Sequence, residues 1–241
     1  MLYWQAGSKL RFFRTTPPAR CPYLPDQWEV KLVTELTGGD AVNEHDMLSD
    51  AGFRRSHQFV YKPLCPSCRA CVPVRIPVAQ FAANRAHRRV LARNEDLVAS
   101  VQPAAVSADQ FELFAAYLHA RHRDGDMVDM NFDDYRSMVE DSPVDTRLVE
   151  FRHAGTGRLA AACLIDWLDH GVSAVYSFWQ PDRPRRGLGN LAILWLIEET
   201  RRRGLDYVYL GYWIEGSRKM AYKSRFRPME ALGARGWRLI D

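Results

Sequence analysis

What this 241-residue chain lacks narrows its class first. No apolar run approaches the roughly 18 uncharged residues of a membrane-spanning helix, so no membrane partner is expected. The opening stretch, "MLYWQAGSKLRFFRTTPPAR", has no long apolar core ahead of small residues, which is not the pattern of a secretory signal. There is no internal repeat and no low-complexity tract, so neither a solenoid nor a tail is expected. Cysteine is scarce and odd in number, at five. With nothing to mark secretion, a cytoplasmic protein is expected, its thiols free or on a metal. Net charge is small, +4.

What is present is an ordinary globular composition, 47% hydrophobic and 26% charged, long enough to bury a core. The arrangement of charge says more than its sum. Basic clusters recur at Arg54-Arg55, "RAHRR" (85–89), "RPRR" (183–186), "RRR" (201–203) and "RKMAYKSRFR" (218–227). Such recurrence favours a polyanionic partner such as tRNA; a DNA partner is not expected.

Apolar periodicity predicts a helix over "PDQWEVKLVTELTGG", with Trp28, Leu32 and Leu36 on one face, and a short helix over "NEHDMLSDAGF". "HQFVYKP" reads as a strand, and "CVPVRIPV" as a second whose Pro73 and Pro77 suggest a sheet edge. "NRAHRRVLARN" reads as a basic helix. From "DLVASVQ" onward come a strand, two helices ("SADQFELFAAYLHARH" and "NFDDYRSMVED"), three strands, an apolar helix over "GLGNLAILWLIEETRRRG", the strand "LDYVYLGYW" and a short helix over "SRKMAYKSRFRP". This β-α-α-β-β-β-α-β-α order is that of the GNAT-like acyltransferase fold. The chain is therefore expected to be α/β (α+β), with a mixed, mostly antiparallel sheet. A smaller N-terminal cysteine-containing module is expected over 1–95 and a catalytic domain over 96–241. In that fold the fourth strand and the one after it splay apart to admit the reacting carbonyl.

"QPDRPRRGLGN" lies between the fourth strand and the apolar helix. Backbone N–H groups at a helix start face an anion, and glycines let a phosphate approach the backbone. Arg183, Arg185, Arg186, Gly187, Gly189 and Asn190 are thus donor-binding candidates, with Tyr176, Ser177 and Trp179 on the adjoining strand. The usual acyl-coenzyme A loop carries Gln or Arg three residues before its first glycine. Pro184 stands there instead, which argues against coenzyme A and leaves room for the 3′ end of an aminoacyl-tRNA.

Three segments carry a resemblance over nearly the whole chain: "CPYLPDQWEVKLV", "LSDAGFRRSHQFVYKPLCPSCRACVPVRIPV" and the run from "SAVYSFWQPDRPRRGLGN" to "LGYWIEGSRKMAYKSRFRPMEAL". They are similar to the bacterial aspartate/glutamate leucyltransferases, a branch of the arginyl-tRNA–protein transferase family. The resemblance implies an enzyme that moves leucine from leucyl-tRNA to the N-terminus of proteins beginning with Asp or Glu, marking them for N-degron proteolysis. Arginyl-tRNA as donor, an acetyl-coenzyme A-dependent N-acetyltransferase and a non-catalytic RNA-binding module are the alternatives.

Aminolysis of an activated ester needs no cofactor and no covalent enzyme intermediate. Under the resemblance, Tyr212, Lys219, Tyr222 and Lys223 are the catalytic candidates, the last three sharing a face if 217–226 is helical. Glu150 and Asp166 are acidic groups that could accept the amine proton. Arg54, Arg55, His57 and Arg75 are candidates for reading the acceptor's acidic first residue.

The cysteines leave three readings open. Cys65, Cys68 and Cys71, with the distant Cys21, supply four thiols for zinc or an iron–sulfur centre. The eukaryotic relatives carry an N-terminal C-x-x-C, whereas here Leu24 stands at the second position. A reduced thiol-rich turn and a redox disulfide are the other two readings. Cys163 reads as a core residue.

Overall fold

The structure, a computed structural model, describes residues 3–6, 9–123, 125 and 127–240, with backbone alone at 3–6, 9 and 10. The chain opens with short strands β1 (Tyr3–Ala6), β2 (Lys9–Phe12), β3 (Arg14–Thr15), β4 (Ala19–Arg20) and β5 (Trp28–Glu29), followed by β6 (Lys31–Glu35) and helix α1 (Ala41–Asp50). Strands β7 (Arg54–Ser56), β8 (Phe59–Pro63) and β9 (Val72–Pro77) lead to helix α2 (Arg85–Ala92). Then come β10 (Leu97–Pro103), α3 (Ala108–Arg121), α4 (Phe132–Glu140), β11 (Thr146–His153), β12 (Leu159–Leu168), β13 (Gly171–Trp179), α5 (Leu188–Arg202) and β14 (Tyr207–Trp213). The hairpin β15 (Met229–Gly233) and β16 (Gly236–Ile240) ends the described chain.

Two sheets matter. The larger has eight strands in the order β10-β11-β12-β13-β14-β9-β15-β16. Every pairing in it is antiparallel except β13 with β14. One face is covered by the apolar stripe of α5, where Leu188, Leu196 and Ile197 pack on Ile165, Val172 and Val208. The other is covered by α3 and α4, where Phe114, Leu118 and Tyr135 pack on Leu148, Leu164 and Phe178. The smaller sheet, β3-β6-β8-β7, closes with α1 over a core of Phe13, Leu36, Leu48 and Val60. From β10 to β14 the element order is the GNAT-like one expected, with α3 and α4 between the first two strands.

The joint between the two sheets is ionic. Arg55, on β7, pairs through Nε and Nη2 with both carboxylate oxygens of Asp166 on β12, each at 2.7 Å. Thr146 donates to Asp166 at 2.7 Å, and both side chains of the ion pair are fully buried. A buried pair of this kind persists because the remaining lone pairs and protons are also satisfied.

Four expectations are corrected. Residues 25–39 are not a helix: β5 and β6 lie there, and β6 pairs with β3 and β8. The β-branched Val30, Val33 and Thr34 suit a pleated strand, and long-range pairing overrides the coincidental spacing of the bulky residues. Strand β9 is not at an edge, because it lies between β14 and β15 despite its prolines. Its place there also means that the large sheet does not divide at residue 95. The segment after β14 forms a 3₁₀ turn at Ala221–Arg225 rather than an α-helix, and the β15–β16 hairpin beyond it carries a Gly233–Gly236 turn that the sequence reading passed over.

Candidate active site

Strands β13 and β14 are hydrogen-bonded only where Gly171–Ser173 face Tyr207–Tyr209. Beyond that they part. Both strands are irregular at the parting. The register with β12 skips Val175, and the register with β9 skips Leu210. A bulge leaves its extra residue outside the ladder and turns its carbonyl away. Arg54 fills the opening from β7. Its Nη2 donates to the carbonyl oxygens of Ala174 (2.8 Å) and Val175 (2.9 Å). Opposite stands Gly211, at φ +72°, where a Cβ would lie 1.8 Å from Arg54 Nη1. Only glycine suits that backbone angle and leaves the guanidinium its place. Among the described residues Arg54 has no carboxylate partner.

Lys223 lies beside this opening. It is buried, and its Nζ donates to the carbonyl oxygen of Tyr212. Burial, and then the charge of Arg54, push its ammonium down to about 7. Tyr212 is an anchor rather than a proton donor. Its buried hydroxyl sits 3.0 Å from the Gly52 carbonyl and 2.9 Å from that of Tyr61, and burial drives its ionisation well above the ordinary range. Lys219 does not share a face with Lys223. It lies before the 3₁₀ turn, is exposed, and reaches the Pro22 carbonyl at 3.5 Å. Tyr222 is 39% exposed, its ring centroid 5.8 Å from Lys223 Nζ. The expected common face required α-helical spacing, which the 3₁₀ turn does not provide.

The loop that carries the donor-binding candidates takes the expected position between β13 and α5. Gly187, at φ +68°, caps α5 in the left-handed region, where a side chain is strained. A Cβ at Gly189 would meet the Trp179 ring at 2.8 Å. Trp179 in turn packs on Tyr117 at 4.7 Å between ring centroids. Tyr176, Ser177 and Asn190 are half-buried nearby in sequence along β13 and the first turn of α5. The three arginines divide by role. Arg186 staples the loop, bonding Asn94 and pairing with Asp96. Arg183 and Arg185 are exposed, Arg183 facing Asp182 at 3.6 Å.

Of the four acceptor candidates, only Arg54 reaches the opening. Arg55 is neutralised inside the joint with Asp166. Arg75 is paired with Glu230 (2.7 Å) and Asp50 (2.9 Å) and lies over the rings of Tyr207 and Trp237. His57 sits at the β7–β8 turn, at the other end of β7 from Arg54, with φ +53°. Neither acid is placed to take an amine proton. Asp166 belongs to the joint, and Glu150 is held by Arg152 (2.8 Å) and Gln110 (2.7 Å).

The four candidate thiols are neighbours. Cys71 is pushed up to about 11, by burial first and then by Cys21, Cys65 and Cys68. Cys65 is buried, and Arg69 ties the turn by donating to the carbonyls of Cys65 and Cys68. Four soft donors suit zinc or an iron–sulfur cluster in kind. Among the described residues no three of His, Cys, Asp or Glu converge as metal ligands. Cys163 is buried in the main core, as expected.

Three tyrosines of this neighbourhood carried no signal in the sequence. The Tyr61 ring lies tilted beside that of Tyr212, 6.2 Å between centroids. Tyr23, pushed up to about 12 by burial and then by Tyr61, lies near enough to Arg54 to feel its charge. Tyr117 lies at the C-terminal end of α3, where its hydroxyl is 3.4 Å from His122. They come from β8, from the loop between β4 and β5 and from α3, and nothing local distinguishes each from a packing aromatic.

Comparison with known proteins places these features in context. Residues 19–89 match the family model described as arginine-tRNA-protein transferase, N terminus, and residues 109–233 the corresponding C terminus. The chain is 56% identical over 227 residues to a protein named aspartate/glutamate leucyltransferase from Paramagnetospirillum magneticum, a match covering 94% of this chain and 93% of that one. It is 55% identical over 231 residues to a protein of the same name from Rhodospirillum rubrum, covering 95% and 94% respectively. Among solved structures, the C-terminal domain of a putative lysylphosphatidylglycerol synthetase from Agrobacterium fabrum superposes with a TM-score of 0.47 at 14% identity, covering 69% of this chain and 50% of that one.

Proposed function

The chain belongs to the arginine-tRNA–protein transferase family, and from that premise we propose that it transfers leucine from leucyl-tRNA to the α-amine of proteins that begin with Asp or Glu. Leucine rather than arginine follows the name its relatives share. The product would begin with leucine and enter N-degron proteolysis, in the cytoplasm where charged tRNA is found. No helix among the described residues is long and apolar enough to cross a membrane.

The observation that best supports this reading is the opening between β13 and β14, which Arg54 fills and beside which Lys223 is buried under the influence of its charge. The acceptor arrives as an ammonium with a pKa of about 7.7–8. Lys223, uncharged in part near neutrality, takes that proton. The amine nitrogen attacks the leucyl carbonyl carbon, the bond from that carbon to the ribose oxygen breaks, the ribose oxygen takes up the second proton lost by the attacking nitrogen, and Lys223 returns the first to water. Proton transfer is most effective when the base has a pKa near the working pH. Arg54 offers its charge to the carboxylate of the acceptor's first residue. The apolar side chain of the donor rests on the half-buried Val175, Tyr176 and Trp179. Arg183 and Arg185 face the tRNA phosphates. The cysteines stay outside the transfer step.

The test uses radiolabelled leucyl-tRNA and arginyl-tRNA with peptides that begin with Asp, Glu, Arg or Ala. Leucine appearing on the Asp and Glu peptides alone is the expected result. Transfer of neither amino acid to any peptide would overturn the proposal.

A further inference from the structure

Helix α2 is oriented by its buried side. Asn84 accepts from the His87 N–H at 3.0 Å and caps the helix. The His87 ring is packed between Phe81 (5.4 Å between centroids) and Phe226 (5.0 Å). With His87 and Val90 inward, Arg85, Arg88 and Arg89 fall at i, i+3 and i+4 on the outward side, and all three are exposed.

The helix also touches the donor loop at several points. A Cβ at Gly187 would lie 3.4 Å from Val90, Arg93 Nη1 donates to the Arg185 carbonyl at 3.0 Å, and Asn94 Nδ2 donates to the Arg186 carbonyl at 2.9 Å. The arginines of α2 therefore continue into Arg93 and Arg185 and end at the start of α5, beside the opening between β13 and β14. Among the described residues, Arg85, Arg88, Arg89, Arg93 and Arg185 have no carboxylate within ion-pair distance. Of the two acids that follow the helix, Asp96 is already taken by Arg186 and His153, and the exposed Glu95 pairs with none of these arginines. A row of uncompensated guanidinium groups leading to a site is suited to a run of phosphodiesters rather than to one anion.

We propose that the outward face of α2, with Arg93 and Arg185, is the surface along which the duplex stem of the donor RNA lies while its 3′ end enters the opening. The proposal rests on the reading that the donor is an aminoacyl-tRNA. Contacts of this kind carry affinity and salt dependence rather than sequence choice.

The test compares the wild-type enzyme with R85Q/R88Q/R89Q and with R235Q/R238Q, which removes charge from the exposed hairpin β15–β16. Binding of deacylated leucine tRNA is measured against sodium chloride concentration, and transfer kinetics are measured with leucyl-tRNA and with a leucyl ester of a short 3′-terminal oligonucleotide that has no stem. Matched melting curves establish that both variants are folded. Loss of three phosphate contacts should reduce the slope of log affinity against log salt by about 2–3. The KM for leucyl-tRNA should rise about tenfold or more, while the short ester is used as by wild type. The R235Q/R238Q variant should keep the wild-type slope. An unchanged slope and KM in the α2 variant would overturn the proposal, as would a loss confined to acidic acceptor peptides, which would make this a protein-binding face. A reduced slope in an enzyme whose wild type transfers no leucine keeps the surface and removes the donor reading instead.

Discussion

Arg54 and Val175 come from strands 121 positions apart, yet the guanidinium of one caps the carbonyl of the other at 2.9 Å. The same Nη2 holds Ala174, so a single side chain from the smaller sheet sets the shape of the opening in the larger one.

Replacing Arg54 should therefore separate acceptor from donor. For Arg54→Gln, the KM for Asp- and Glu-initiated peptides is expected to rise at least about tenfold, consistent with loss of a charged hydrogen bond of about 1.5–3 kcal/mol. The KM for leucyl-tRNA should change little. Equal increases in both would mean that Arg54 only holds the strands apart. Gly211→Ala should act in the same direction by displacing the guanidinium, with a stability loss of about 1–3 kcal/mol from the left-handed backbone.

Lys223 makes a pH prediction. Its folded value, lowered to about 7, means that the uncharged form grows as pH rises through 7. The rate should climb over that range and flatten above it. Lys223→Met should lower kcat by about 10²–10⁴-fold and leave only the limb set by the acceptor amine, near 7.7–8. Stability moves with the same group. Between about 7 and the ordinary lysine value, the unfolded chain holds a proton that the folded chain has released, so this lysine opposes folding less and less as pH increases across that window, and most below it. The methionine variant should consequently melt higher than wild type at pH 6. An unshifted pH–rate profile in that variant would exclude Lys223 as the base.

At the joint, removing one partner should cost more than removing both. Asp166→Asn or Arg55→Met alone is expected to destabilise by about 3–5 kcal/mol, read from urea unfolding, because a buried charge loses its counter-ion. The Arg55→Met/Asp166→Leu double variant should recover much of that loss. Additive losses would show that the two residues are not energetically coupled.

Cys71 should be a sluggish thiol. Raised to about 11, it should react with iodoacetamide at pH 7.5 roughly two orders of magnitude more slowly than a free cysteine, because thiolate is the reacting form. A chelator should leave that rate unchanged. Acceleration by the chelator would instead show a metal held by the thiols in the purified protein.

The parts legible in the sequence were those specified locally. Helix α5 with its glycines, the three strands before it and the helices over "SADQFELFAAYLHARH" and "NFDDYRSMVED" all stand where periodicity put them. The misreadings arose where long-range pairing decides. Trp28, Leu32 and Leu36 are spaced like a helix face, but β6 gains its partners from β3 and β8. Arg54 and Arg55 are adjacent and chemically identical. Alternation along β7 sends one into the opening and the other into the joint, and no local property says which. Lys219 and Lys223 differ for a related reason, since only the tertiary packing of the 3₁₀ turn buries the second.

The position of β9 between β14 and β15 bears on how the chain is made. Synthesis proceeds from the N-terminus, so β9 leaves the ribosome well before both of its sheet neighbours. Until β14 and then β15 emerge, its two hydrogen-bonding edges have no native partner, and an unpaired strand edge is a site of misassembly. Pro73 and Pro77, which cannot donate to a ladder, make that waiting strand a poor template for foreign pairing. The prolines that read as the mark of an edge thus suit a strand that is an edge only in time, during translation.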